Sequence, residues 1–412
     1  MNVSTAAECL LCGADSVELF LDLGEMALAN NFLTREALSL PEPKAPLRVG
    51  FCHGCTHVQL MDRVPPPAMF DTYLYVSSMS DTLKSHFREL ATTLVNRLGL
   101  TPRDLVVDIG SNDGTLLGYF NASGVQTLGV DPAANLAPLA AANGVKTLTT
   151  FFGAATAETI ARAHGPATLI TATNTFPHIQ VLSDFLEGVN TLLAPEGTLV
   201  IEAHYLPDLL KQGAFDTVYH EHVSYWSLGP MLELFEKYGL EVVDAQRLPI
   251  HHGQLRVFAQ RRGMGSVSER VMRLVDAERR AGLRSYRTFE EFAGRVSEIE
   301  RSLHAGFEVF GRGGKRVAGY GAPAKGNTLL GFLNFGPDEL IYIADRSPLK
   351  QGLFAPGVHI PIVSTDRILQ DQPDYLLILA WNFAEEIMCQ QAEYRRRGGK
   401  FILPLPQVTI LD

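Results

Sequence analysis

The chain has 412 residues, enough for two to four domains, and its 46% apolar and 19% charged residues are the balance of an ordinary globular protein. A net charge of -10 argues against the basic face that nucleic-acid phosphates require. No apolar run reaches the roughly 18 to 20 residues of a membrane span, and the start, MNVSTAAECL, lacks a secretory pattern, so a cytoplasmic protein with no membrane partner is expected.

Four of the five cysteines fall in the first 55 residues, as two CxxC knuckles, Cys9-Leu-Leu-Cys12 and Cys52-His-Gly-Cys55. Four thiolates at this spacing suit a tetrahedral Zn²⁺, and four protein ligands leave no open position, so the ion is structural. Reduced surface thiols or a redox pair are the plainer reading, and His53 or His57 is an alternative fourth ligand. The short strands expected around VELFLDLG, which ends at Gly24, LRVGFCHGC and THVQLMD give way to the proline-rich RVPPPAMF.

FDTYLYVSSMSD follows, placing Tyr73, Tyr75, Ser77 and Ser78 ahead of the first long helix as candidate substrate contacts, with a packed loop the alternative. Leu83, Phe87, Leu90 and Leu94 are helically spaced, with Asp81 as the expected N-cap. Strands and helices then alternate through DLVVDIG, TLLGYFNASG, QTLGVD, ANLAPLAAANG, KTLTTFF, ATLITATN, VLSDFLEGVNTLL and GTLVIEAHY, which predicts a doubly wound, mostly parallel α/β sheet. In LVVDIGSNDGTLLGY, Gly110 permits a tight turn, Gly114 a close approach, and Asn112 a left-handed backbone. Asp131 ends the next strand, where an acid can bind ribose hydroxyls. Asp108 and Asp113 flank the loop, and two carboxylates suit a cationic ligand without phosphates, such as S-adenosylmethionine, better than NAD. An ordinary strand-to-helix turn is the remaining alternative.

Asn174 and His178, in TATNTFPHIQ, belong at the carboxyl edge of that sheet. FDTVYHEHVSYWS, residues 215–227, overhangs the same edge and concentrates Tyr219, His220, Glu221 and His222, candidates for proton transfer. A polar capping loop, or a metal chelated by His220 and His222, are the alternatives. HHGQLRV, with His252 and Arg256, is placed in the active-site wall or in a solvated turn. Residues 266–305 are charged and helical, with an apolar stripe at Phe289, Phe292, Val296, Ile299 and Leu303. A second Rossmann-like series starts near Lys315, with a helix from about Asn327. Its GYGAPAKGN turn carries Gly321 and Lys325, suited to a diphosphate.

Taken in order, CxxC…CxxC, DIGSNDG, FFG, FDTVYHEH, HHGQLRVF, GYGAPAKGNTLL, DRSPLKQGLFAPGVHIPI and LLILAWNFAEEI resemble, over essentially the full length, the sugar C-methyltransferases that act on nucleotide-linked 4-keto-6-deoxyhexoses. The resemblance implies a zinc-binding domain (1–70), an S-adenosylmethionine-dependent methyltransferase domain (71–262), a helical linker (263–310) and a C-terminal Rossmann-like domain (311–412). It implies His222 as the base, Tyr219 and Glu221 beside it, and Asn174 and His178 as a further pair; His220, where relatives carry an acid, is the reserve base. The implied substrate is a dTDP-linked keto-deoxysugar, with GDP or CDP as alternative carriers, and a monomer is expected. Competing readings are methylation of another keto or hydroxy acceptor, an NAD-dependent nucleotide-sugar oxidoreductase or epimerase, and a non-enzymatic zinc adaptor.

Overall fold

The computed structural model describes residues 3–5, 8–71, 73–250 and 253–412. The N-terminal part holds β1 (Ser4–Thr5), β2 (Val17–Ala27), β3 (Lys44–Cys52), β4 (Val58–Leu60), β5 (Asp62–Arg63) and α1 (Pro67–Phe70). β2, β3 and β4 pair antiparallel. The strand expected to stop at Gly24 instead bulges there: the register slips between Asp22 and Glu25, Gly24 adopts φ +78°, and β2 runs on to Ala27.

The central part comprises α2 (Asp81–Leu98), β6 (Leu105–Ile109), α3 (Thr115–Ala122), β7 (Gln126–Val130), α4 (Ala137–Ala142), β8 (Thr147–Leu148), α5 (Ala154–His164), β9 (Ala167–Thr173), α6 (Leu182–Leu192), β10 (Leu193–His204), α7 (Leu206–Gln212), β11 (Ser224–Tyr225), α8 (Leu228–Lys237), β12 (Leu240–Leu248) and β13 (Gln254–Arg261). The N-cap of α2 is Ser80, whose hydroxyl accepts the Leu83 amide; Asp81 sits one residue inside and pairs with Lys84 at 2.6 Å. A serine oxygen reaches the third amide from the cap position, whereas an aspartate in the first turn acts on the helix dipole.

Among the described residues the central sheet has the order β12-β13-β10-β9-β6-β7-β8. β10, β9, β6, β7 and β8 are parallel, and β13 runs antiparallel between β10 and β12. The strand order reverses between β6 and β9. The loops after these two strands, at Gly110 and Asn174, therefore open a crevice at the carboxyl edge, where open α/β sheets bind ligands. β11 leaves this sheet altogether and pairs with β4 as the outer strand of the N-terminal sheet.

α9 (Glu269–Arg280) and α10 (Tyr286–Arg312) lead to a second α/β unit: β14 (Val317–Tyr320), α11 (Ala324–Leu333), β15 (Ile343–Asp345), β16 (Ile362–Ser364), α12 (Arg367–Asp371), β17 (Tyr375–Ile378), α13 (Ala384–Gln390), α14 (Ala392–Arg396), β18 (Lys400–Leu403) and β19 (Thr409–Leu411). Its sheet order is β16-β15-β14-β17-β18-β19, parallel except for β19. α11 starts at Ala324 rather than near Asn327, which puts Lys325 in its first turn. No helix among the described residues is long and apolar enough to cross a membrane.

The apolar stripe of α10 is buried in one cluster that also contains Leu21 and Phe51 of the N-terminal sheet, Phe215 of the central part, and Leu330 and Ile343 of the C-terminal unit. α10 is thus a strut shared by all three parts. Phe292 is 1% exposed at its centre. Phe292→Ala should cost about 3–5 kcal/mol; chemical unfolding should show the N- and C-terminal parts losing stability together, because the cluster joins them.

Candidate functional site

Four thiols converge where the N-terminal knuckles meet. The Sγ atoms of Cys9, Cys12, Cys52 and Cys55 lie within 4.8 Å of one another, with Cys9–Cys55 at 3.6 Å and Cys12–Cys52 at 3.7 Å. A tetrahedron with Zn–S bonds of about 2.3 Å has edges near 3.8 Å, so the set fits zinc as a closed site. His53 instead contacts Glu18 at 2.6 Å, and His57 is buried against Trp226 with its Nε2 3.1 Å from Ser224 Oγ.

The crevice opens into a cavity of about 460 Å³ between the central sheet edge, the N-terminal part and the C-terminal unit. One half is built on the glycine loop. Gly110 has φ +72°, and a Cβ there would lie 2.1 Å from Thr175 Oγ1, so only glycine fits. Asn112 and Asn174 are both left-handed, at φ +52° and +58°. Asp131 accepts the Asn112 and Ala133 amides at 2.8 and 2.9 Å. Asp108 accepts the Thr171 hydroxyl at 2.6 Å, and burial pushes its carboxyl up to about 7. Asp108 has no cationic partner among the described residues, so a ligand ammonium or sulfonium nearby would favour its charged form. Asp113 is turned away and accepts from Thr115 and the Ser78 amide. Gly114 caps α3 against Val145 and does not line the cavity.

The segment 73–78 is stitched over this loop: Asn112 receives the Ser77 amide and donates to the Tyr75 carbonyl. Tyr73, Tyr75 and Ser77 line the cavity; Ser78 does not.

The other half is built on residues 215–222. The Thr217 carbonyl accepts from His222 Nδ1 at 2.8 Å, so the lone pair of the neutral ring lies on Nε2, which meets the Tyr219 hydroxyl at 2.8 Å. Burial holds His222 well below the usual histidine value, helped by His204 and His178. His178 stacks between Phe70 and His222, at 5.3 and 5.1 Å; its Nε2 is buried without a partner, and burial lowers it to about 4. Glu221 accepts from Asn30 Nδ2 at 2.7 Å and Tyr73 Oη at 2.9 Å, and burial raises it to about 7. His220 faces the N-terminal sheet instead, with Nε2 3.1 Å from the Ala45 carbonyl.

The C-terminal unit closes the cavity with Lys325 and Lys350. Lys325 lies over the Trp381 ring at 4.7 Å, and Trp381 Nε1 donates to the buried Asp216 at 2.6 Å. Lys350 is 6% exposed, sits over Phe32 and donates to the Ala322 carbonyl at 2.7 Å. Gly321 shapes the turn at φ +81° but stays behind the cavity wall. Asp345, at the position where a dinucleotide ribose would seek an acid, accepts the Ala322 and Ser347 amides instead.

Two further sequence expectations remain. Arg256 does not reach the cavity, because its guanidinium is buried against Glu202, which also holds His86 at 2.7 Å. His252 lies outside the described residues. Asn30, Lys350 and His204 line the cavity and were not anticipated. Of these, only His204 carried a signal, as the last residue of a buried strand.

Three family descriptions match in succession: a zinc binding domain over residues 9–70, a methyltransferase domain over 83–245, and a C-methyltransferase C-terminal domain over 249–406. C-methyltransferase NovU of Streptomyces niveus is 40% identical over 406 residues, 98% of this chain and 97% of that protein. The chain belongs to this C-methyltransferase family. It is a methyltransferase that uses S-adenosylmethionine and carries a zinc-binding domain. Two solved structures match less than half of it. Magnesium protoporphyrin IX methyltransferase from Synechocystis PCC 6803 with bound S-adenosylmethionine is 14% identical over 44% of this chain and 82% of its own, with a TM-score of 0.33. A methyltransferase from Clostridium acetobutylicum ATCC 824 is 12% identical over 45% and 94%, with a TM-score of 0.36.

Metal analysis of the C-methyltransferase should find about one zinc per chain, and Cys9→Ser or Cys55→Ser should lower the melting temperature. Metal-free protein of full stability would contradict the assignment. Glu221 is ionised above about 7 and protonated below it. Asn30→Ala removes a donor that favours the carboxylate, so any acidic limb of kcat/KM set by Glu221 should move to higher pH, as a pH–rate profile will read.

Proposed function

We propose that this C-methyltransferase methylates C3 of a nucleotide-linked 4-keto-6-deoxyhexose, dTDP-linked by preference, through base-catalysed enolate formation. The observation that carries this reading is the fixed tautomer of His222, with a basic Nε2 in a cavity shared by the glycine loop and the C-terminal unit.

A 4-keto group acidifies the proton on C3. His222 Nε2 takes that proton, and the electron pair it leaves behind delocalises onto the C4 oxygen. Tyr219, released from its hydrogen bond to Nε2, or His178, whose Nε2 is unpartnered, donates to the developing oxyanion; removing one such donor typically costs about 100- to 1000-fold in rate. S-adenosylmethionine supplies the electrophilic methyl group that C3 acquires. Asp108, Asp131, Asn112 and Asn174 are the residues that would hold it, with Gly110 keeping the backbone clear. Glu221 lies behind the cavity lining and fixes Asn30 and Tyr73, which face the sugar, and Lys325 and Lys350 give the opposite wall the positive charge that a diphosphate seeks. The turning of His220 towards Ala45 favours His222 as the base.

The test is mass spectrometry of the enzyme with S-adenosylmethionine and dTDP-, GDP- and CDP-linked 4-keto-6-deoxyhexoses in D2O. A product heavier by one methyl group, with its C3 proton lost, supports the reading. Methylation on oxygen, or neither methylation nor exchange with any member, would overturn it. His222→Asn should keep its affinity for S-adenosylmethionine and lose roughly 100- to 10,000-fold in turnover.

A further inference from the structure

His222 is 3% exposed, and its Nδ1 is committed to the Thr217 carbonyl. With both substrates in place, water is displaced from the main cavity around the imidazole. A proton received at Nε2 still has to leave before the next turnover. His204 borders the same space as His222. It ends β10, and its ring centroid is 5.1 Å from that of His222, tilted by 50°. It lines the main cavity and also a second void of about 10 Å³, shared with Gln212, Thr217, Gly253, Lys325 and Trp381. That is the scale of a single water site. His178 is equally near His222, but it lies against Phe70 and does not border the second void.

We propose that His204 is a proton-relay residue that carries the abstracted proton from His222 to water in the second void. The inference rests on the enolate reading above. The balance is simple. The C3–H bond gives its proton to His222 Nε2 and leaves its electron pair on the sugar. The resulting imidazolium passes one proton to a ring nitrogen of His204, and His204 passes one to water. Both rings return neutral, and the net product is a solvated proton. Lys325 borders both voids, and its charge opposes retention of a second cation on either ring.

The test uses the full-length enzyme, the keto sugar and S-adenosylhomocysteine in D2O, and reads deuterium entry at C3 beside single-turnover methyl transfer from S-adenosylmethionine. In His204→Ala the exchange should slow by roughly a hundredfold, because abstracted protons return to C3, and added imidazole should restore it. Single-turnover transfer should stay close to the wild-type rate. His204→Gln, which keeps a polar side chain but carries no proton at neutral pH, should show slow exchange. Wild-type exchange in both variants would overturn the relay. So would equal losses of exchange and transfer without imidazole rescue, which would make His204 a purely structural support. Methylation by the wild-type enzyme with no exchange at C3 would overturn the enolate reading and the relay with it.

Discussion

The hydrogen bond from His222 Nδ1 to the Thr217 carbonyl is the constraint around which the site is organised. A neutral imidazole has one lone pair, and this contact places it on Nε2, towards the cavity. Burial keeps the ring uncharged. Holding the carbonyl in place is costly, because residues 215–227 form no long element of their own and are almost wholly buried. Each neighbouring body supplies part of the support. Asp216 receives Trp381 from the C-terminal unit, Glu221 receives Asn30 from the N-terminal part, His220 meets Ala45, and Ser224–Tyr225 complete the sheet of the zinc-bearing part.

The cavity is electrically divided. Asp108 and Asp131 mark the end suited to a sulfonium and an ammonium, while Lys325 and Lys350 mark the opposite wall. In the reading proposed above, such a gradient would orient a cationic methyl donor and an anionic acceptor, and excluding water would strengthen each interaction.

Part of the fold and of the candidate site is legible in the sequence. The knuckles at Cys9–Cys12 and Cys52–Cys55, the turn at Gly110, the acid at Asp131 and the polar cluster at Tyr219–His222 are local patterns that spacing picks out, whereas the choice of His222 as base came from the family resemblance. The N-cap of α2 was misread by one residue, because Ser80 and Asp81 are both good caps and only the backbone decides between them. Arg256 looked available because its partner, Glu202, is 54 positions away in sequence and meets it only across the sheet. Asn30 and Lys350 were invisible for the same reason: each joins the cavity through tertiary contact between distant segments, which periodicity does not record. α10 was read as a connector, yet its stripe serves three bodies at once.

The pairing of β11 with β4 has a bearing on how the chain is made. On one side Gln59 and Val58 pair with Gly50 and Phe51 of β3; on the other their partners are Ser224 and Tyr225. On the ribosome, the first sheet therefore emerges with one edge open, and that edge stays unsatisfied while more than a third of the polypeptide is still to be joined to it. An open edge beside apolar Val58 and Leu60 is a template for wrong partners. The segment that carries the proposed base is thus also the cover that ends this exposure, so a nascent chain arrested between the two would lack that cover and be prone to aggregate.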